Sequence, residues 1–145
     1  MKFINVLCIN ILLLMILSAS GISQDDISSI MFINELDSKK TATYGDALRM
    51  FRVQARTIPG SGSYLLEGYS DSSPLTKGTA SLMTARYLKL NKSLMYNIFG
   101  IKRYAYRACL ADKLFNEFGS ENDMMSGSEL IELFTKVDEF IERRR

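Results

Sequence analysis

Three helix starts constrain this chain more than any other feature. Thr43-Tyr44-Gly45-Asp46, Thr76-Lys77-Gly78-Thr79 and Ser126-Gly127-Ser128-Glu129 share one plan. A hydroxyl residue comes first, a glycine or serine stands two positions on, and an acid stands three on in the first and third; apolar residues follow. A hydroxyl with an acid three positions later is a capping box, which satisfies amides that the first turn of a helix leaves without partners. The spacing is uneven, 33 residues from Thr43 to Thr76 and 50 from Thr76 to Ser126, so ordinary capping accounts for the plan as well as repetition does. With three such starts and no competing strand pattern, the chain is expected to be all-α.

The apolar spacing after each start fills in the helices. After Thr43, the residues Ala47, Leu48, Phe51 and Ala55 fall on one side, and Arg49, Arg52 and Arg56 fall on another, read as a solvated face. After Thr76, Ala80, Met83, Tyr87 and Leu90 predict a helix over residues 77–90. After Ser126, Leu130, Phe134, Val137 and Ile141 line one face, with Glu132 to Lys136 and Glu139 to Arg143 in the favourable order for ion pairs. Arg143-Arg144-Arg145 suits the negative end of that helix's dipole, or else reaches an anionic partner. A further helix is expected over residues 101–118 from Tyr104, Ala108, Ala111, Phe115 and Phe118, stopped by Gly119. Ile27, Ile30 and Met31 suggest a short helix, and residues 94–99 a short apolar turn before Gly100. Residues 56–73 form either a loop packed through Tyr64, Leu65 and Leu66 or a mobile binding loop. The expected architecture is a small single α-helical domain of four to five helices.

Residues 1–23 read as a secretory signal peptide. Met1-Lys2 gives a positive start, the segment from Phe3 to Leu17 is apolar apart from Asn5 and Asn10, and small residues follow from Ser18 to Ser23. Cleavage is expected after Ser20 or, by preference, after Ser23; an uncleaved anchor is the alternative. The expected layout is a signal over residues 1–23, an N-terminal segment over 24–42 and an α-helical domain over 43–145, exported to the periplasm or cell surface, with no transmembrane span in the mature part. Cys8 would leave with the signal, so Cys109 remains alone, a core residue with no disulfide to form.

The chain has no histidine, which removes Ser-His-Asp and Cys-His arrangements and a common metal ligand. No cofactor or metal is expected. Net charge is +2, but it is distributed in blocks. Between Lys77 and Lys113 there are eight basic residues and one acid, Asp112; between Glu117 and Glu142 there are eight acids and one base, Lys136. Lys77, Arg86, Arg103, Tyr106 and Arg107 are the candidate surface for an anionic ligand, with Tyr106 as the exposed ring and Tyr104 in the core. The plainer alternative is that the two blocks neutralise one another within the domain. Export argues against nucleic acid as the partner. Carboxylate pairs of the kind hydrolases use could be drawn from Asp112 with Glu117 or Asp46 with Glu67, and nothing singles either pair out.

Pro74-Leu75-Thr76-Lys77-Gly78-Thr79-Ala80-Ser81, continuing to Arg86-Tyr87-Leu88, resembles the helix of S-layer-homology modules. Lys77 and Thr79 stand where that motif has arginine and an acid. Arg103-Tyr104-Ala105-Tyr106-Arg107 through Ser126-Gly127-Ser128-Glu129-Leu130 resembles the second half of such a unit. The same segments resemble a group of exported bacterial proteins that share these helix starts. The resemblance implies a helical, envelope-associated module and points to Lys77 and Arg86. The expected function is therefore a non-catalytic binding or interaction module whose partner is an envelope glycan or another envelope protein. The alternatives are a structural protein–protein interaction domain in the periplasm and a carboxylate-dependent hydrolase.

Overall fold

The computed structural model describes residues 24–57, 63–90, 100–115 and 119–144. These hold five helices: α1 (Gln24–Asp37), α2 (Tyr44–Thr57), α3 (Lys77–Tyr87), α4 (Lys102–Ala111) and α5 (Gly127–Glu142). Among the described residues there is no strand, only the isolated antiparallel bridges Thr43–Pro74 and Thr76–Met124. Asn34–Arg145 forms one compact unit, to which residues 24–33 of α1 do not belong. The expectations for residues 1–23 and 94–99 lie outside the described residues. No described helix is long and apolar enough to cross a membrane.

The three capped starts meet. The residue before each cap donates its amide to the next start, and the cycle closes. Leu75 N–H donates to the Ala42 carbonyl (2.9 Å), Ala42 N–H to the Met125 carbonyl (2.8 Å), and Met125 N–H to the Leu75 carbonyl (2.9 Å). All three side chains are fully buried. The first helical amides then find carbonyls in a neighbouring connection. Tyr44 donates to Ser73 and Gly45 to Asp71; Lys77 donates to Asp123 and Gly78 to Glu121; Gly127 donates to Lys39. Helix amides that would otherwise be orphaned are thus absorbed by backbone as well as by caps.

This junction explains Gly45 and Gly78 of the repeated plan, and Gly127 one position earlier in the third start. A Cβ on Gly45 would lie 2.9 Å from the Asp71 carbonyl oxygen, and one on Gly78 would lie 2.6 Å from that of Glu121. A Cβ on Gly127 would collide with the Leu36 carbonyl. The glycines allow one backbone to approach another, which ordinary capping does not require.

From the junction, α2, α3 and α5 run in the same direction. Ala42 meets Met125 at the start; further along, the Phe51 and Phe134 rings sit edge to face at 4.6 Å, and Gln54 Nε2 donates to Asp138 Oδ1. Tyr87 of α3 closes on Phe51 at 5.3 Å, so each of the three helices gives one aromatic ring to the same cluster. Tyr64 stacks on Phe51 at 5.0 Å. The Tyr44 hydroxyl accepts from Leu66 N–H (2.8 Å). The loop of residues 63–73 is thus held by Tyr64 and Leu66, while Leu65 stays exposed. The expected core positions Ala80, Met83, Tyr87 and Leu90 are all buried, as are Leu130, Phe134 and Val137.

Helix α4 departs from expectation. It stops at Ala111, not at Gly119. Lys113 has φ +60°. Its amide donates to Leu110 and that of Leu114 to Cys109, the bond pair of a Schellman ending with lysine in the place usual for glycine. Helix α3 ends the same way: Lys89 has φ +50°, and Lys89 and Leu90 donate to Arg86 and Ala85. The buried face of α4 is Ala105, Tyr106, Ala108 and Cys109. Tyr106 is therefore buried, 3% exposed, and Tyr104 half-buried, the reverse of the assignment expected from spacing. Ala111 is exposed, and Leu114 takes the core position beyond the turn.

Two predictions test this construction. Gly78→Ala and Gly127→Ala should each destabilise by roughly 2 kcal/mol or more, because backbone must move, read as a lower urea midpoint. Lys89→Gly and Lys113→Gly should each stabilise by about 0.5–1 kcal/mol, read as a higher urea midpoint at unchanged slope, by relieving a left-handed lysine.

Candidate functional site

The site is built outward from the caps. In α2, Thr43 N–H donates to Asp46 Oδ2 (2.9 Å) and Asp46 N–H donates to Thr43 Oγ1 (3.2 Å), so aspartate completes the reciprocal pair. In α5, Ser126 N–H donates to Glu129 Oε2 (2.8 Å) and Glu129 N–H donates to Ser126 Oγ (3.2 Å). Each acid also meets a lysine: Lys39 to Asp46 at 2.9 Å and Lys77 to Glu129 at 3.1 Å. In α3, Thr76 Oγ1 accepts from Thr79 N–H (3.2 Å), and the two hydroxyls lie 2.9 Å apart. There the place of the acid and its lysine is taken by Tyr69, whose hydroxyl bonds Thr79 and Lys102; the Lys102 ammonium also lies 5.1 Å from the Tyr69 ring centre.

These contacts set the charge states. Burial pushes the Asp46 and Glu129 carboxyls up, but the bonds from lysine and from the cap outweigh it and hold both below their ordinary values. Burial likewise pulls Lys77 down, and Glu129 more than offsets it, leaving the ammonium above its ordinary value. Lys77 is thus a neutralised lysine, in the wall of a cavity of about 130 Å³ that also holds the paired Glu132 and Lys136.

Of the expected surface, the structure gathers Arg103, Tyr106 and Arg107. They line a groove of about 570 Å³ with Leu110 of α4 and with Gly119 and Glu121 from the connection into α5. Arg103 and Arg107 are exposed, one helical turn apart. Tyr106 is fixed beneath them: Gly119 N–H donates to its hydroxyl, and the ring lies 5.3 Å from Phe115. Burial, reinforced by Asp123, holds its phenol above the ordinary value. Arg86 belongs elsewhere, donating to the Leu65 carbonyl at 3.3 Å. Leu110, Gly119 and Glu121 were not singled out by sequence; the glycine reads there as a helix stop.

The two charge blocks touch through Lys77 and Glu129. Asp46 is committed to its cap and Lys39, and Glu117 lies outside the described residues. Cys109 is a free, buried thiol that burial pushes up to about 12, so it stays protonated. No family model, curated protein or solved structure matches the chain.

The caps give a pH prediction. A carboxylate with a depressed folded pKa adds stability that is present above its unfolded pKa and is lost as pH falls through the folded one. The ordinary values are 3.8 for Asp46 and 4.5 for Glu129. The urea midpoint should therefore hold from about pH 7 to 5 and fall below about 4.5. Asp46→Asn and Glu129→Gln should each lower the neutral midpoint and flatten that acid-side fall.

Proposed function

We propose that the chain is a non-catalytic binding module of the bacterial envelope that takes an anionic ligand in the groove along α4. One observation carries this reading: two exposed arginines one turn apart stand over an immobilised tyrosine in a groove of about 570 Å³. Arg103 and Arg107 are planar, permanently charged donors suited to carboxylate or phosphate groups. Tyr106 and Leu110 supply an apolar floor for the uncharged part of such a ligand, and Glu121 on the far wall would repel an anion seated too low. An acidic envelope glycan meets these demands.

The envelope assignment rests on the exported-chain reading of residues 1–23 and on the resemblance to S-layer-homology modules. Lys77 and Arg86, the positions the resemblance points to, are not the ones proposed to bind: the first is paired with Glu129 and the second lies against Leu65.

The test is co-sedimentation of the purified chain with envelope material. Binding should appear at low salt and be released at high salt. The double variant Arg103→Ala/Arg107→Ala should lower affinity roughly tenfold, the loss of about one charge-assisted contact. No sedimentation at low salt, or full binding by the double variant, would sink the proposal.

A further inference from the structure

The cavity of about 130 Å³ beside Lys77 is lined from three parts of the fold. Glu129, Glu132, Leu133 and Lys136 stand on one face of α5, separated by three, one and three positions. Lys77 comes from the first turn of α3, and Leu114 and Phe115 from the chain beyond α4. Depth sorts the charges. The Lys77 and Lys136 side chains are 12% and 16% exposed, whereas those of Glu129 and Glu132 are 38% and 50% exposed. Two ammoniums therefore lie at the floor and two carboxylates at the mouth, with the buried Leu114 and Leu133 and the half-buried Phe115 as the apolar wall. Lys136 stands out among these groups. Its nitrogen is buried and lies 3.2 Å from Glu132 Oε1, yet among the described residues nothing accepts a hydrogen bond from it. An ammonium carries three donors, and leaving them unfilled away from water costs stability.

We propose that this cavity binds a small zwitterion, an α-amino acid with a short apolar side chain. The ligand's carboxylate goes to the floor, where it accepts from Lys136 beside the second ammonium of Lys77. Its own ammonium stays at the mouth with Glu129 and Glu132. Its side chain lies against Leu114, Phe115 and Leu133. The lining holds two positive and two negative groups, so a ligand of zero net charge leaves the balance undisturbed. The order of the charges with depth then selects its orientation. An anion alone must pass two carboxylates to reach Lys136, and a cation alone leaves the Lys136 donors unfilled. Size agrees with this ligand class, since an apolar cavity of about 150 Å³ takes up benzene. A few polar groups set in an apolar wall are the usual make-up of a small-molecule site. The site is separate from the groove along α4: Phe115 lines one and Tyr106 the other, with their rings 5.3 Å apart. It does not depend on the envelope reading.

Titration of the full chain, followed by amide nuclear magnetic resonance shifts, tests this. The probe is valine, compared with isovalerate, which lacks its ammonium, with isobutylamine, which lacks its carboxylate, and with glucose. Valine should give saturable shifts at Leu114, Leu133 and Lys136, with an affinity roughly tenfold above that of either singly charged analogue. Lys136→Met keeps the apolar stem and removes the ammonium, so it should lower valine affinity roughly tenfold while keeping or raising the urea midpoint. Glu132→Gln changes a half-exposed side chain at the mouth and should lower valine affinity roughly fivefold. It decides the matter if Lys136→Met fails to fold. No saturable shift with valine would mean that the cavity holds only water and would overturn the proposal. Equal binding of isovalerate or isobutylamine, or preference for glucose, would overturn the ligand class. So would valine affinity unchanged in both variants, or shifts confined to Arg103, Arg107 and Leu110.

Discussion

The closed triangle of backbone hydrogen bonds among Ala42, Leu75 and Met125 is the contact on which the other parts of Asn34–Arg145 depend. It fixes three helix starts at one point, from which α2, α3 and α5 run in the same direction to meet again at Phe51, Tyr87 and Phe134. Parallel helices starting together bring three positive dipole ends close to one another. The structure offsets this locally. Connecting carbonyls accept the first amides, Asp46 and Glu129 bring negative charge into the first turn, and lysines then hold those acids in their caps. At the far end, Arg56 and Arg86 occupy the last turns of α2 and α3, where positive charge suits the opposite pole.

The same junction reaches the candidate site. The connection that supplies Asp123 and Glu121 carbonyls to the start of α3 also supplies Gly119 and Glu121 to the groove along α4. One wall of the groove is therefore set by how α3 docks, and the other by how α4 lies against α3. Tyr106 ties the walls together, with its ring on α4 and its hydroxyl bonded to Gly119. Lys77, at the first turn of α3, faces Glu129 across the junction, so a residue that reads as ligand-facing in sequence serves to join two helix starts.

Much of the fold was legible because the signals are local. Thr43 with Asp46, Thr76 with Thr79, and Ser126 with Glu129 act within four residues, and each cap forms where its residues predict. The core faces of α3 and α5 were legible for the same reason. Helix α4 was read too long because its stop is a lysine. Lys113 adopts a left-handed conformation that sequence leads one to expect of glycine, and only the burial of Leu114 and the two Schellman bonds hold it there. The face that α4 buries is Ala105, Tyr106, Ala108 and Cys109, so Tyr106 points inward and Tyr104 is half-buried. The groove was half legible: Arg103, Tyr106 and Arg107 share a helix, whereas Glu121 and Gly119 arrive from a distant connection.

By itself the sequence determined which segments become helices, where the capped ones begin and which sides α3 and α5 bury, since capping and apolar spacing are properties of neighbouring residues; Ile27, Ile30 and Met31 of α1 are instead exposed. Only the tertiary structure decided that the three starts close on one another and that the helices run parallel. It alone assigned the glycines to contacts between separate backbones and turned Tyr106 inward. The reason is physical: each amide at a helix start can be satisfied by any carbonyl within reach, and which carbonyl arrives depends on how distant connections pack.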